Sequence, residues 1–233
     1  MKIIAIEASA KVAGVCIMED EKILAEENVC SGLTHSQTLM PMVDTAMRAA
    51  GLSGEEMDLI TFTKGPGSFT GLRIGAATVK GLSLGWKKPV LPLSTLEVMA
   101  YGLIPWTGLI VPVMDARRQQ VYTAVYRSDG KNLQEILPQQ AISAADLAAF
   151  LKTRNEKALL VGDVYTMPED EEFVQALSHL LQIRSASACA LALKKLAEGV
   201  LPVSSDQVEV DYLRRPQAER ERLEKENHHA ETD

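Results

Sequence analysis

The sequence predicts an α/β protein with mixed strand directions. Three observations carry that expectation. The first third of the chain alternates strand-length apolar runs with helix-period segments. Its opening runs, Lys2–Ala8, Val12–Glu19 and Lys22–Val29, are joined by short turns and read as an antiparallel meander. Helix and strand then alternate, an order that suits one lobe of an α/β fold. At 233 residues the chain has length for one large domain or two small lobes.

Each element has a local reason. Thr34-His35-Ser36-Gln37 resembles a capping box, in which Thr34 caps the helix and Gln37 reaches back. The helix it opens puts Leu39, Met42 or Val43, Ala46, Met47 and Ala50 on one apolar face, and Gly51 stops it. Pro41 lies inside this pattern and should kink it. Met57–Thr63 reads as the next strand. Gly65-Pro66-Gly67-Ser68-Phe69-Thr70-Gly71-Leu72-Arg73-Ile74-Gly75 leads from it into a helix over Leu72–Trp86. Pro89–Leu93, Thr95–Leu103 and Gly108–Asp115 continue as strand, helix, strand. Pro105 and Gly108 mark a lobe boundary. Further on, Gln120–Tyr126 alternates like a strand, Ser143 caps a helix to Lys152, and Ala158–Gly162 is a buried strand. Glu169–Leu181 and Ala186–Glu198 read as helices, the second closed by Gly199.

Composition excludes several classes of function. The apolar fraction of 46% and charged fraction of 24% are those of a globular protein. A formal net charge of −7 disfavours a broad nucleic-acid surface, which needs clustered Lys and Arg, but leaves room for a local basic patch. Cys16, Cys30 and Cys189 are odd in number and unpaired in spacing, so they read as buried thiols in a reducing cytosol. The segment Met1–Glu7 does not fit a signal peptide. The longest weakly polar stretch, Leu72–Trp86, carries Arg73 and Lys80 and is shorter than the ~20 residues of a membrane span. A cytoplasmic location and no membrane contact are expected.

The glycine-rich segment is the sharpest motif. Gly65, Gly67, Ser68 and Gly71 sit between a strand and a helix N-terminus, where free N–H groups favour an anion. They match neither a Walker A loop nor G-x-G-x-x-G. A tight turn with close helix packing is the favoured reading, and an anion or nucleotide cradle stays open beside it. In the helix that follows, Gly71, Gly75, Thr78, Leu82 and Gly85 form a mostly small stripe. Leu72, Ala76, Val79 and Trp86 form a larger one. A helix apolar nearly all round is buried on more than one side. One side can face its own sheet and the other a partner, with the Met-rich helix over Thr34–Ala50 as a second adaptable surface. Sandwiching within one domain is the alternative. The expected interface residues are His35, Leu39, Met42, Val43, Met47, Leu72, Gly75, Thr78, Val79 and Leu82.

In order along the chain, several segments together resemble the TsaB family. These are Met1–Ser9 with Val12–Met18, His35–Val43, Gly65–Gly75, Leu93-Ser94-Thr95-Leu96, Asp115-Ala116-Arg117 with Val121-Tyr122, and Tyr212-Leu213-Arg214-Arg215 with Ala218-Glu219-Arg220. The match is dense to about Tyr126, thin through the following segment, and returns near the tail. It implies a two-lobed actin-like ATPase and sugar-kinase (ASKHA) fold with mixed central sheets. The lobes would be 1–105, bearing the partner-binding helices, and 106–210, followed by a charged tail over 211–233.

The resemblance also implies a function. The chain would be a non-catalytic subunit that activates TsaD, which transfers threonylcarbamoyl to the adenosine next to the anticodon in tRNAs reading codons that begin with A. TsaE, an ATPase, is the other implied partner, with a homodimer forming in the absence of TsaD. No cofactor of its own is expected. ATP or ADP and metal would sit on the partners, and tRNA would be met through the complex. The alternative is a stand-alone ATP-binding kinase or ATPase of the same fold.

Departures from the superfamily pattern weigh against that alternative. Where an acid, Gly and hydroxyls usually handle phosphates, this chain has Glu7-Ala8-Ser9-Ala10, and Glu7 replaces the Asp usual in TsaB-like chains. Where TsaD-like chains carry two metal-binding histidines, it has Thr95 and Met99. His35, His179, His228 and His229 form no catalytic constellation. Glu7, Ser9, Asp115 and Arg117 are the remaining polar candidates for a cleft, with an internal ion pair explaining the last two equally well. No catalytic residue and no metal ligand is expected.

Overall fold

The computed structural model describes residues 1–214. Strands β1 (Lys2–Glu7), β2 (Ala13–Glu19) and β3 (Lys22–Val29) precede α1 (His35–Ala50), β4 (Leu59–Gly65), α2 (Phe69–Trp86), β5 (Val90–Ser94) and α3 (Thr95–Tyr101). Then come β6 (Thr107–Asp115), β7 (Gln120–Asp129), β8 (Leu133–Ser143), α4 (Ala144–Lys152), β9 (Ala158–Gly162), β10 (Phe173–Gln175) and α5 (Ser185–Ala197).

Two five-stranded sheets result, in the orders β3-β2-β1-β4-β5 and β8-β7-β6-β9-β10. In each, three antiparallel strands are followed by two parallel ones. One topology is therefore built twice. Among the described residues, no helix is long and apolar enough to cross a membrane.

Period-two alternation decides the layers. Ile4, Ile6, Val15, Ile17, Ile60 and Phe62 face α1 and α2 on the outside of the first sheet. Ile3, Ala5, Cys16, Met18 and Leu59 face the other way, onto a core shared with α3, α5 and the second sheet's Ile110, Met114 and Ala124. Leu109, Val111, Val113 and Val125 pack on α4 at the far side. The central strands are apolar on both faces because both are covered, each fully buried Ile or Leu contributing roughly 1.5–3 kcal/mol.

The capping expectations hold. Thr34 and Gln37 form the box, Gly51 closes α1 in the left-handed region, and the Ser143 hydroxyl accepts the Asp146 N–H. Pro41 lies within an α1 assigned as one helix, and the Thr45 hydroxyl donates to its carbonyl at 2.9 Å.

Three expectations need correction, and one strand is added. Glu169–Leu181 is not a helix: Phe173-Val174-Gln175 pairs in parallel with Ala158-Leu159-Leu160, extending the sheet edge, and 178–180 is a short 3-10 turn. Strand β8 occupies a segment for which the sequence offered no reading. Cys30 is exposed, whereas Cys16 and Cys189 are buried.

The grouping of 106–210 into one lobe fails beyond β10. Helix α5 packs on β1 and β2, Val203 pairs with Val90, and the Asp211 N–H donates to the Lys64 carbonyl at 2.7 Å. Residues 208–214 thus form a strap tied to the first lobe, and at its end Arg214 donates to the Ala116 carbonyl at 2.9 Å. Of the expected tail, Asp211–Arg214 is packed in this way. Arg215–Asp233, with Ala218-Glu219-Arg220 and His228-His229, lies outside the described residues.

Candidate functional site

The turns at the carboxyl ends of β1, β4, β6 and β9 meet between the lobes, where Lys11 faces Asp163 at 3.9 Å and Arg214 reaches the Ala116 carbonyl at 2.9 Å. Open α/β sheets bind ligands at such ends. The first-lobe side is built from the β1–β2 turn and the glycine-rich segment. Glu7 is fully buried there, and its Oε1 accepts the Ser9 N–H at 2.6 Å and the Ser9 hydroxyl at 2.5 Å. Its Oε2 and the Thr63 Oγ1 are buried without a hydrogen-bond partner. Burial pushes the Glu7 carboxyl up from the ordinary range, against the lowering effect of the Ser9 hydroxyl and N–H. A buried carboxyl that takes both the N–H and the hydroxyl of Ser9 does not leave that hydroxyl free to meet a phosphate.

The glycines serve this closed turn. A Cβ on Gly67 would stand 2.2 Å from the Ser9 carbonyl oxygen, and one on Gly71 would stand 2.1 Å from that of Ala8. A Cβ on Gly65, whose φ is +126°, would meet the Asp211 carbonyl oxygen at 2.3 Å. The Ser68 N–H donates to the Ser9 carbonyl at 2.7 Å, and the Ser68 hydroxyl accepts the Gly71 N–H at 3.3 Å. The N–H groups of Ser68 and Gly71 are thus spent inside the protein, and the loop's glycines lie directly on the Ala8 and Ser9 backbone. The residues of this turn do not fit a nucleotide phosphate. Close packing, the favoured sequence reading, accounts for Gly65, Gly67, Ser68 and Gly71.

The second-lobe side differs. Asp115 and Arg117 are both exposed and do not form the anticipated ion pair: the Asp115 carboxylate accepts the Arg117 backbone N–H at 2.7 Å. Asp163, given no role from sequence, accepts the Asp115 N–H at 3.0 Å and faces Lys11 of the first lobe at 3.9 Å. Arg117, Arg118 and Gln119 are consecutive left-handed residues with φ of 61°, 54° and 59°. Nothing in their side chains announces that conformation. Thr95 and Met99 are buried in the shared core, and among the described residues no three His, Cys, Asp or Glu side chains gather as a metal group.

The anticipated interface residues are largely inward. Leu39, Met42, Val43, Met47, Leu72, Val79 and Leu82 are all buried in the protein's own core, and Gly75 is buried under Ala8. His35 and Thr78 are only partly exposed, with His35 Nε2 3.3 Å from the Val12 carbonyl. The periodic apolar face of α1 covers the sheet, so the outward face is the complementary one. On α1 that face carries Met40, Pro41, Thr45 and Ala49 together with the Asp44–Arg48 ion pair. On α2 it carries Ala77, Gly81, Leu84 and Gly85, with Leu84 68% exposed. The signal that could have found it is the same 3.6-residue period, read half a turn away.

A doubled β3-β2-β1-β4-β5 sheet with helices between and outside, meeting at a two-turn crevice, is the two-lobed actin-like ATPase and sugar-kinase fold. A solved Pseudomonas aeruginosa structure, described as an uncharacterized protein with similarity to peptidase YeaZ, superposes with a TM-score of 0.78. It is 24% identical and covers 91% of this chain and 99% of its own. A family model for TsaD, tRNA N6-adenosine threonylcarbamoyltransferase, matches residues 30–219. The tRNA threonylcarbamoyladenosine biosynthesis protein TsaB of Bacillus subtilis (strain 168) is 33% identical over 162 residues, 70% of this chain and 71% of that protein. The TsaB of Escherichia coli (strain K12) is 34% identical over 131 residues, 55% and 56% of the two chains. The chain belongs to the TsaB family of tRNA threonylcarbamoyladenosine biosynthesis proteins.

Proposed function

We propose that this chain is a non-catalytic subunit of tRNA threonylcarbamoyladenosine synthesis that docks onto a TsaD-class transferase through the outer faces of α1 and α2. The observation that carries the reading is the outward face of α2. Ala77, Gly81, Leu84 and Gly85 form a small, uncharged strip beside α1, and such a strip lets another helix approach closely. A second copy of the chain would use the same strip when no transferase is present. TsaE joins as the ATPase. Nucleotide and metal reside on the partners, tRNA is held by the assembly, and the work is done in the cytoplasm. The closed Glu7–Ser9 turn supports the non-catalytic assignment and opposes a stand-alone kinase or ATPase.

The test is reconstitution of the modification on unmodified tRNA, with and without the chain. Leu84→Glu and Ala77→Arg, both at exposed positions, are expected to abolish the complex on size exclusion and to reduce modification at least tenfold while the fold survives. An intact complex with both variants would exclude this face. Steady ATP turnover by the purified chain, lost in Glu7→Ala, would establish the enzyme reading instead.

A further inference from the structure

The β6–β7 turn is tied down through the backbone of Ala116, Arg117, Gln119 and Gln120, and the side chains of Arg117 and Arg118 are exposed. The Ala116 N–H donates to the Gln120 carbonyl at 2.9 Å, the Gln120 N–H to the Arg117 carbonyl at 3.1 Å, and the Ala144 N–H to the Gln119 carbonyl at 3.3 Å. Two acids flank the turn: Asp115 at the end of β6 accepts the Arg117 N–H, and Asp163 just after β9 accepts the Asp115 N–H. No described carboxylate pairs with the guanidinium of Arg117 or Arg118, and both side chains are exposed. Holding three residues in the left-handed region costs about 1–2 kcal/mol each. Such a conformation persists where its surroundings impose it, and the strain tends to accumulate at functional sites.

Other cations adjoin. Arg214 reaches the Ala116 carbonyl, and Lys11 lies between Asp163 and the ring of Tyr165, 5.6 Å from its centroid. Tyr165 itself is 66% exposed. In a chain of net charge −7 this is a local excess of positive charge beside an open aromatic ring.

We propose that this rim, made by Arg117, Arg118, Arg214, Lys11 and Tyr165, is a surface on which the chain itself contacts RNA, its cations on phosphates and Tyr165 under an unpaired base. Pairing cations with a stacking platform is how proteins hold single-stranded nucleic acid. A free nucleotide is a poorer fit, because the glycine loop packs directly on Ala8 and Ser9 and the side chains of Arg117 and Arg118 are exposed instead of lining an enclosed cavity. The inference rests on the proposed role in tRNA modification, since that role supplies the RNA.

Binding of a fluorescent, unmodified tRNA transcript to the full chain, followed by anisotropy across a salt series, tests it. The double variant R117E/R118E is expected to bind at least tenfold more weakly and to flatten the log–log salt dependence by about two. Tyr165→Ala, on a separate loop, is expected to weaken a single-stranded anticodon-loop oligonucleotide about fivefold. Unchanged affinity and salt slope in R117E/R118E would overturn the proposal. So would tighter binding of a poly-glutamate peptide or of ATP than of tRNA, which would point to an acidic protein or a nucleotide. Modification assays separate the two readings. If the chain is dispensable for modification yet binds tRNA through these residues, the functional reading falls and this one stands. If the chain is required but charge reversal leaves tRNA affinity intact, this one falls alone.

Discussion

The β1–β2 turn and the β6–β7 turn occupy the same place in two sheets of the same strand order, and they are used in opposite ways. In the first lobe the turn is sealed: Glu7 and Ser9 are fully buried and bond to each other, and the glycine-rich segment lies on their backbone. In the second lobe the acids are spent on backbone amides and two arginines stand in solvent. Topology fixes where a turn falls, and burial decides what its side chains can meet. A carboxyl buried against its neighbour's hydroxyl acts as packing; an unpaired guanidinium in water acts as a recognition group.

The largest effect should come from forcing the sealed turn open. Gly71→Val drives a side chain into the Ala8 carbonyl, and we expect a loss of about 3 kcal/mol or more, read as a melting temperature lower by roughly 6–12 °C. Arg118→Ala in the other turn should stay within about 0.5 kcal/mol of the parent. A comparable loss there would break the contrast.

Ser9→Ala comes next, with about 1–3 kcal/mol expected from removing a buried hydroxyl that serves Glu7. Denaturant titration checks it, and a neutral result would mean that the backbone N–H alone holds the carboxyl.

Glu7→Gln gives a smaller, pH-dependent effect. Burial raises the folded-state pKa of Glu7 above its unfolded value, roughly 4.3. The stabilisation from its proton is complete below that value and is lost as pH rises through the folded pKa. Glutamine does not ionise, so the variant should exceed the parent in stability by a margin that grows from pH 4 to pH 8. A margin independent of pH would show that Glu7 is not held neutral.

The smallest effect sharpens the open side. Arg118 has φ of 54°, so Arg118→Gly should be more stable than Arg118→Ala by about 1 kcal/mol. Equal stabilities would remove the strain argument for that turn.

How much of this was legible in the sequence depended on whether the signal was local. The Thr34–Gln37 box, Gly51 and the Ser143 cap are contacts among residues three or four apart, and they are found where the chain announces them. The glycine-rich segment identified its own turn and favoured close packing, but its contacts, Ala8, Ser9 and Asp211, are distant in sequence. Phe173-Val174 was misread because a short apolar run carries no periodicity, and only the free edge of β9 makes it a strand. The outward faces of α1 and α2 were inverted for a related reason. An apolar period names the residues that share a face, and a nearly all-apolar helix such as α2 leaves the choice of direction to the sheet beneath it. The rim of the crevice was least visible, because left-handed Arg117 and Arg118 are positioned by Gln120, Ala144 and Arg214.

The strap over 208–214 bears on how the protein is made. A ribosome delivers residues in order, and many domains begin to fold as they emerge. Here the first lobe cannot be completed from its own end of the chain. The sheet face bearing Ile3, Ala5 and Cys16 waits for α5, and the edge at Val90 waits for Val203. The loop at Lys64 waits for Asp211. Until the chain has been made as far as Asp211, the nascent first lobe presents an uncovered apolar face and an unpaired strand edge, the two features that invite chaperone capture.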